Sequence, residues 1–201
     1  DIQDDQKHPL KLKIKPLARD SLSINFAIGL ISLIIFILLI LLFVDSKIIF
    51  HIILYLFINS LYILFIKGII IVDIIIISVG YILRIDAGSL IIGVESSTLM
   101  LVSIFSLSFF VLTIKRKKEF ENNISSRSSL KKYNLTILNY LIYISLFFSI
   151  FSYAIYLYLK NSNLFITMPI VILCLLRYLH VSNITNKGEF PIDIFFRDWI
   201  L

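Results

Sequence analysis

Charge is scarce in this chain of 201 residues: 16% of it is Asp, Glu, Lys or Arg, where soluble domains usually carry roughly a quarter. That scarcity, beside a hydrophobic share of 59%, excludes a water-soluble globular domain and leaves the bilayer as the solvent that fits. Cysteine is almost absent. The single Cys174 lies in an apolar run, so it can form no internal disulfide and reads as a buried, inert thiol, and no Cys/His spacing suggests zinc. There is no Ser/His/Asp triad, no P-loop and no Rossmann glycine pattern. No repeat of fixed period is visible. The chain has no initiator Met and no signal peptide, and it opens on Asp1 within an acidic motif, which predicts a piece lacking its N-terminal part.

What is present is a series of long apolar runs: Ser21 to Val44, Ile48 to Ile66, Ile69 to Gly93, Thr98 to Ile114, Leu135 to Leu159, and Leu164 to Val181. A helix rises about 1.5 Å per residue and the hydrocarbon core is about 30 Å thick, so about 20 apolar residues make one crossing. Backbone groups left unpaired in lipid are costly enough that only helices or closed barrels span, and these runs do not alternate as barrel strands do. The sequence therefore predicts an all-α fold, a polytopic transmembrane helical bundle of about six spans, treated as a single domain over residues 1–201.

The net charge of +6 is distributed asymmetrically. Sixteen of the 19 Lys and Arg residues fall on one side of the spans, Lys47 and Lys160 on the other, and Arg84 within a span. The richer side is expected in the cytoplasm. Because the basic residues sit between apolar segments, a membrane surface explains them and nucleic acid is not an expected partner. The stretch Asn122 to Ser129, NNISSRSS, reads as a polar loop.

Chemistry concentrates on that basic side. Asp1 and Asp5 are four apart, with His8 a further turn along before Pro9, so in a helix they share a face. Magnesium prefers few carboxylates together with phosphate oxygens, which suits such a pair; a solvated acidic helix end, with Asp4 pairing to His8, is the plainer alternative. Lys11, Lys13, Lys15 and Arg19 follow, either as phosphate ligands or as a basic belt touching anionic lipid. Asp73 and Arg84 lie within apolar sequence, and an intramembrane charge is a functional signal by default. Eleven residues place both on one face but too far apart to pair directly, so each needs another partner, and a purely structural ion pair is the alternative. Gly80 and Gly88 fall on the same stripe, where a neighbouring helix can approach closely. Tyr62 and Lys67 precede that span, and Lys115, Arg116, Lys117, Lys118 and Glu119 open the largest cytoplasmic loop. Topology explains that basic cluster, though not its carboxylate.

The string DIQDDQKHPLKLKIKP, Asp1 to Pro16, resembles the aspartate-rich motif of the UbiA superfamily of membrane prenyltransferases, and within it the decaprenyl-phosphate phosphoribosyltransferase branch. Asp1, Asp5, His8, Pro9, Lys11 and Pro16 match that branch, and Lys15 replaces its Arg. The resemblance continues in matching order through LYILFIKGIIIVD, GYILRIDAG, KRKKEF, the Arg127 and Tyr133 region, LRYLHV, GEFP and RDWIL. It departs at Ala18, Arg19 and Asp20, and at Asp86, where an apolar residue is usual. The branch's pattern begins before Asp1 and continues past Asp198, which again suggests a fragment.

The resemblance implies a magnesium-dependent transferase of the plasma membrane, its site facing the cytoplasm, serving cell wall precursor synthesis. The donor would be phosphoribosyl diphosphate and the acceptor a polyprenyl phosphate held in the bilayer. It assigns Asp1 and Asp5 to magnesium and diphosphate, and Lys11, Lys15 and His8 to the donor phosphates. Lys67 and Arg84 would meet phosphate from the second half of the site, with Asp73 as their orienting or ribose-binding carboxylate and Tyr62, Lys115, Arg116 and Glu119 beside them. A prenyltransferase moving a prenyl group onto a small acceptor, and a non-catalytic membrane subunit or transporter, are the rival readings. Homo-oligomerisation stays open.

Overall fold

The computed structural model describes residues 16–17, 19, 22–41, 46–66, 69, 71–121, 134–160 and 162–184. Among these residues the regular structure is helical throughout. Six α-helices follow one another: α1 (Ile24–Leu41), α2 (Ser46–Leu61), α3 (Val72–Ile91), α4 (Thr98–Glu121), α5 (Leu135–Lys160) and α6 (Met168–Ile184). A π turn over Tyr62–Ile66 extends α2, and a 3-10 segment, Ser162–Thr167, leads into α6. Five stretches are long and apolar enough to cross a membrane: Ile48–Ile66, Val72–Ile91, Thr98–Glu121, Leu135–Lys160 and Leu164–Ile184. The polytopic helical membrane bundle expected from the apolar runs is therefore found.

The helix ends are set by familiar chemistry. Asn134 caps α5, its Oδ1 accepting from the Thr136 amide at 3.1 Å, which satisfies one of the amides that the first helical turn leaves without a partner. α3 stops where Gly93 takes φ +69°, a left-handed conformation that costs glycine nothing. One boundary differs from expectation. The KRKKE cluster, read from the sequence as the opening of a loop, is the continuation of α4, which runs to Glu121. Lys, Arg and Glu are good helix formers, and Lys118 Nζ bonds Glu121 Oε2 at 2.8 Å within the same turn, so nothing local ends the helix at the edge of its apolar part.

The chain divides into two compact units, one ending at Ile53 and the other beginning at Leu54. In the first, α1 carries exposed Ile24, Phe26, Ile28 and Phe36, the apolar exterior of a lipid-facing helix. The second holds the packed core. There α4 and α5 pack along much of their length, around Phe110, Ile114, Ile142, Leu175 and Tyr178. On α5 the buried stripe includes Ser145, Ser149 and Ser152. Lipid tails are as apolar as leucine, so helices in a bilayer associate through close packing, which small residues permit. Each serine hydroxyl donates to a carbonyl three residues back, Ser145 to Ile142 at 2.9 Å and Ser149 to Leu146 at 3.1 Å, and so needs no partner across the interface.

A cavity of about 360 Å³ opens between α4, α5 and α6, walled by Met100, Ser103, Leu107, Ser149, Tyr153 and Val171.

Replacing Ser145 with Leu should drive side-chain bulk into the α4–α5 contact and cost about 1–3 kcal/mol. Ser145→Ala, which removes only a hydroxyl bonded to its own helix, should stay within about 1 kcal/mol. Thermal denaturation of the two variants in detergent micelles checks the contrast; equal losses would count against close packing at this stripe.

Candidate functional site

The buried charges gather where α3 begins and α4 ends. Arg116 Nε donates to Asp73 Oδ2 at 2.8 Å, and its Nη1 donates to Glu119 Oε2 at 2.7 Å. The three are 1%, 0% and 3% exposed. At such burial, solvent does not screen the interaction, and loss of either partner would strand an uncompensated charge. The Arg116 Nη2 group makes no hydrogen bond among the described residues. Tyr62, at the end of α2, stands within electrostatic reach of the guanidinium.

Local structure explains the convergence. Asp73 is the second residue of α3, and the residue two before it, Ile71, takes φ +65°. That conformation is unfavourable for a β-branched side chain. It is held by packing of Ile71 and Phe120 against the fully buried Leu138 of α5. Arg116 and Glu119 reach inward because α4 continues past its apolar section, and their spacing of three puts them on neighbouring positions of one face. Around this core Lys118 is 4% exposed and paired with Glu121. Lys117 Nζ reaches Glu121 Oε1 at 3.7 Å and Asn183 Oδ1 of α6 at 3.4 Å, which ties the last turn of α6 to the same end of the bundle.

The structure brings Asp73, Arg116 and Glu119 together, with Tyr62 near, but it does not bring Arg84 to them. Arg84 is exposed, eleven residues further along α3 and therefore about 16 Å away along its axis. Its Nη2 donates to the Tyr55 hydroxyl, and its guanidinium lies over the rings of Tyr55 and Tyr81, 4.9 Å and 5.2 Å from their centroids. Tyr55 also fills the space beside Gly80, 3.6 Å from where a Cβ would stand, so the close approach expected on the glycine stripe occurs there. Gly88 has no atom within that reach. Asp86 accepts from the Ser96 hydroxyl, near the turn that joins α3 to α4. Asp1, Asp5, His8, Lys11, Lys15 and Lys67 lie outside the described residues.

Among the described residues no group of three or more His, Cys, Asp and Glu side chains could hold a metal ion, and Asp73 and Glu119 are both engaged by Arg116. Among the described residues the cluster is therefore centred on one guanidinium held between two carboxylates.

A model of the UbiA prenyltransferase family matches residues 1–192. The chain belongs to this family. A comparison with curated proteins found no match. UbiA proteins are membrane prenyltransferases, so membership makes this chain an integral membrane transferase handling a lipid-like prenyl substrate. The UbiA match runs through both segments that the ion cluster joins, the start of α3 and the end of α4.

Two partners within this UbiA chain were not foreseen from the sequence. Tyr55, which holds Arg84, lies 29 residues earlier on another helix, and no local spacing links them. Its available signal was the recurrence of a tyrosine seven residues on, at Tyr62. Glu121, the partner of Lys117 and Lys118, was hidden by treating its segment as a loop.

Asp73→Asn should destabilise the fold by about 3–5 kcal/mol, the cost of breaking a buried ion pair from one side. Arg116→Met should do likewise. In the double variant the losses should fall short of their sum by at least about 0.5 kcal/mol, measured by reversible denaturation in detergent; strict additivity would mean the two side chains do not act together.

Proposed function

We propose that this UbiA-family chain transfers the 5-phosphoribosyl group of phosphoribosyl diphosphate to a polyprenyl phosphate such as decaprenyl phosphate, releasing diphosphate. One observation carries the reading: Asp73 and Arg116, 43 residues apart, meet through a 2.8 Å bond and join two of the segments in which the chain resembles the phosphoribosyltransferase branch. A guanidinium held by two carboxylates and keeping one amino group outside both bonds is a positioned donor for a phosphate oxygen.

In this reading an acceptor phosphate oxygen attacks the anomeric carbon. A carbon–oxygen bond forms to the lipid phosphate as the bond to diphosphate breaks. No covalent link to the protein is required, so catalysis consists of positioning and of stabilising charge. Arg116 Nη2 and Lys115 face the donor phosphates from α4, joined by Lys67, Lys11, Lys15 and His8. Asp73 and Glu119 hold Arg116 in place, and Tyr62 borders it. Arg84, set deeper along α3, acts apart from the reacting centre. Magnesium is assigned to Asp1 and Asp5 on the sequence pattern alone; when bound it would offset the charge of the leaving diphosphate. The site would face the cytoplasm, on the side richer in Lys and Arg.

The second reading is a prenyl transfer from prenyl diphosphate to a small acceptor, and the family match itself favours it. Membranes containing the chain, supplied with a polyprenyl phosphate and labelled phosphoribosyl diphosphate, should place the label in the lipid fraction. Arg116→Lys, which keeps the charge but loses the planar fork, should lower that transfer by about 10²-fold. Label entering a small acceptor from prenyl diphosphate, with none entering lipid from phosphoribosyl diphosphate, would replace the first reading with the second.

A further inference from the structure

The cavity between α4, α5 and α6 belongs to neither the ion cluster nor the Arg84 contact. On α4 its wall is formed by Met100, Ser103 and Leu107, one helical stripe. Arg116 lies sixteen residues beyond Met100, which at 3.6 residues per turn is about 160° around the helix, and about 13 Å further along than Leu107. The cavity and the ion cluster therefore sit on opposite sides of α4 and at different depths. A substrate with its phosphate at Arg116 could not lay its tail here without passing around that helix.

The lining is dry in its chemistry despite its hydroxyls. Ser103 donates to the Leu99 carbonyl at 2.8 Å and Ser149 to the Leu146 carbonyl at 3.1 Å. Tyr153 bonds Thr167 Oγ1 at 2.9 Å, while Thr167 itself donates to the Leu164 carbonyl. The hydroxyls of Ser103, Ser149 and Tyr153 are thus engaged by protein, and most of the remaining lining is hydrocarbon, so the space suits an apolar occupant. A cavity of about 150 Å³ lined with Leu, Ile and Phe takes up one benzene; on that scale the 360 Å³ here accommodates about a dozen carbons. One turn beyond the cavity-lining Tyr156, at the end of α5, stands the exposed Lys160. A lysine at a helix end extends its ammonium to the membrane interface, where lipid phosphates lie.

We propose that this cavity is a binding site for one acyl chain of a membrane phospholipid, its phosphate at the Lys160 ammonium and its chain running past Tyr156 toward Ser103. The site is separate from the proposed reaction, and its occupant lies in the groove that α4, α5 and α6 leave open between them.

The test uses the full chain in mild detergent, with dioleoyl phosphatidylglycerol as the probe and native mass spectrometry counting retained lipid. One molecule per chain is expected to persist. Ser103→Phe, which fills the cavity, should weaken retention by at least about tenfold, and Lys160→Gln by about fivefold. Retention by Ser103→Phe equal to that of the unaltered chain overturns the proposal. So does displacement of the lipid by an equimolar polyprenyl phosphate, which would make this a substrate-tail site. Should Ser103→Phe fail to fold, a phosphatidylglycerol carrying a diazirine midway along its chain decides on the unaltered protein. Labels on Met100 to Leu107 and on α5 around Tyr153 support the site, and labels confined to outer faces overturn it. None of these readings requires transferase activity, so they stand or fall independently of the proposed reaction.

Discussion

A guanidinium removed from water is tolerable only when carboxylates meet it with good geometry, and that requirement organises the packed unit of this protein. Arg116 is satisfied from two directions, by Asp73 across the α3–α4 contact and by Glu119 on its own helix. To bring them together, α4 has to remain helical beyond its apolar section, α3 has to start where it does, and α5 has to cover both through Leu138. The same three elements define the end of the bundle at which Lys117 reaches α6. Electrostatics thus supplies register to helices whose apolar surfaces specify little, since one leucine-rich face fits another in many ways.

Much of the fold was legible because lipid reduces the problem to length and polarity. Six runs were read, and six α-helices stand among the described residues, with boundaries mostly within a few residues. The misplaced boundary, the end of α4, has a clear cause. Counting apolar residues locates the hydrocarbon edge, whereas a helix ends only when caps or breakers end it, and KRKKEFE contains neither. The correction matters because it turns a surface loop into the element that carries the buried cation.

The site was legible in part. An Asp and an Arg inside apolar sequence announced themselves as costly, and their spacing already excluded direct pairing. Which partner each would take was not readable, since Arg116 and Tyr55 come from other helices and only packing selects them. Arg116 looked like one more member of a topological basic cluster, and nothing local distinguishes it from Lys115 or Lys117. Its burial is a property of the assembled helices.

Ile71 carries a consequence for how α3 is supported. Glycine would take a left-handed backbone unaided; Ile71 takes it while packed against Leu138. The opening turn of α3 is therefore supported by a helix that comes later in the chain, and Asp73 precedes Arg116 by 43 residues. The first turn of α3 thus draws its support from contacts distant in sequence, through Leu138 of α5 and Arg116 of α4.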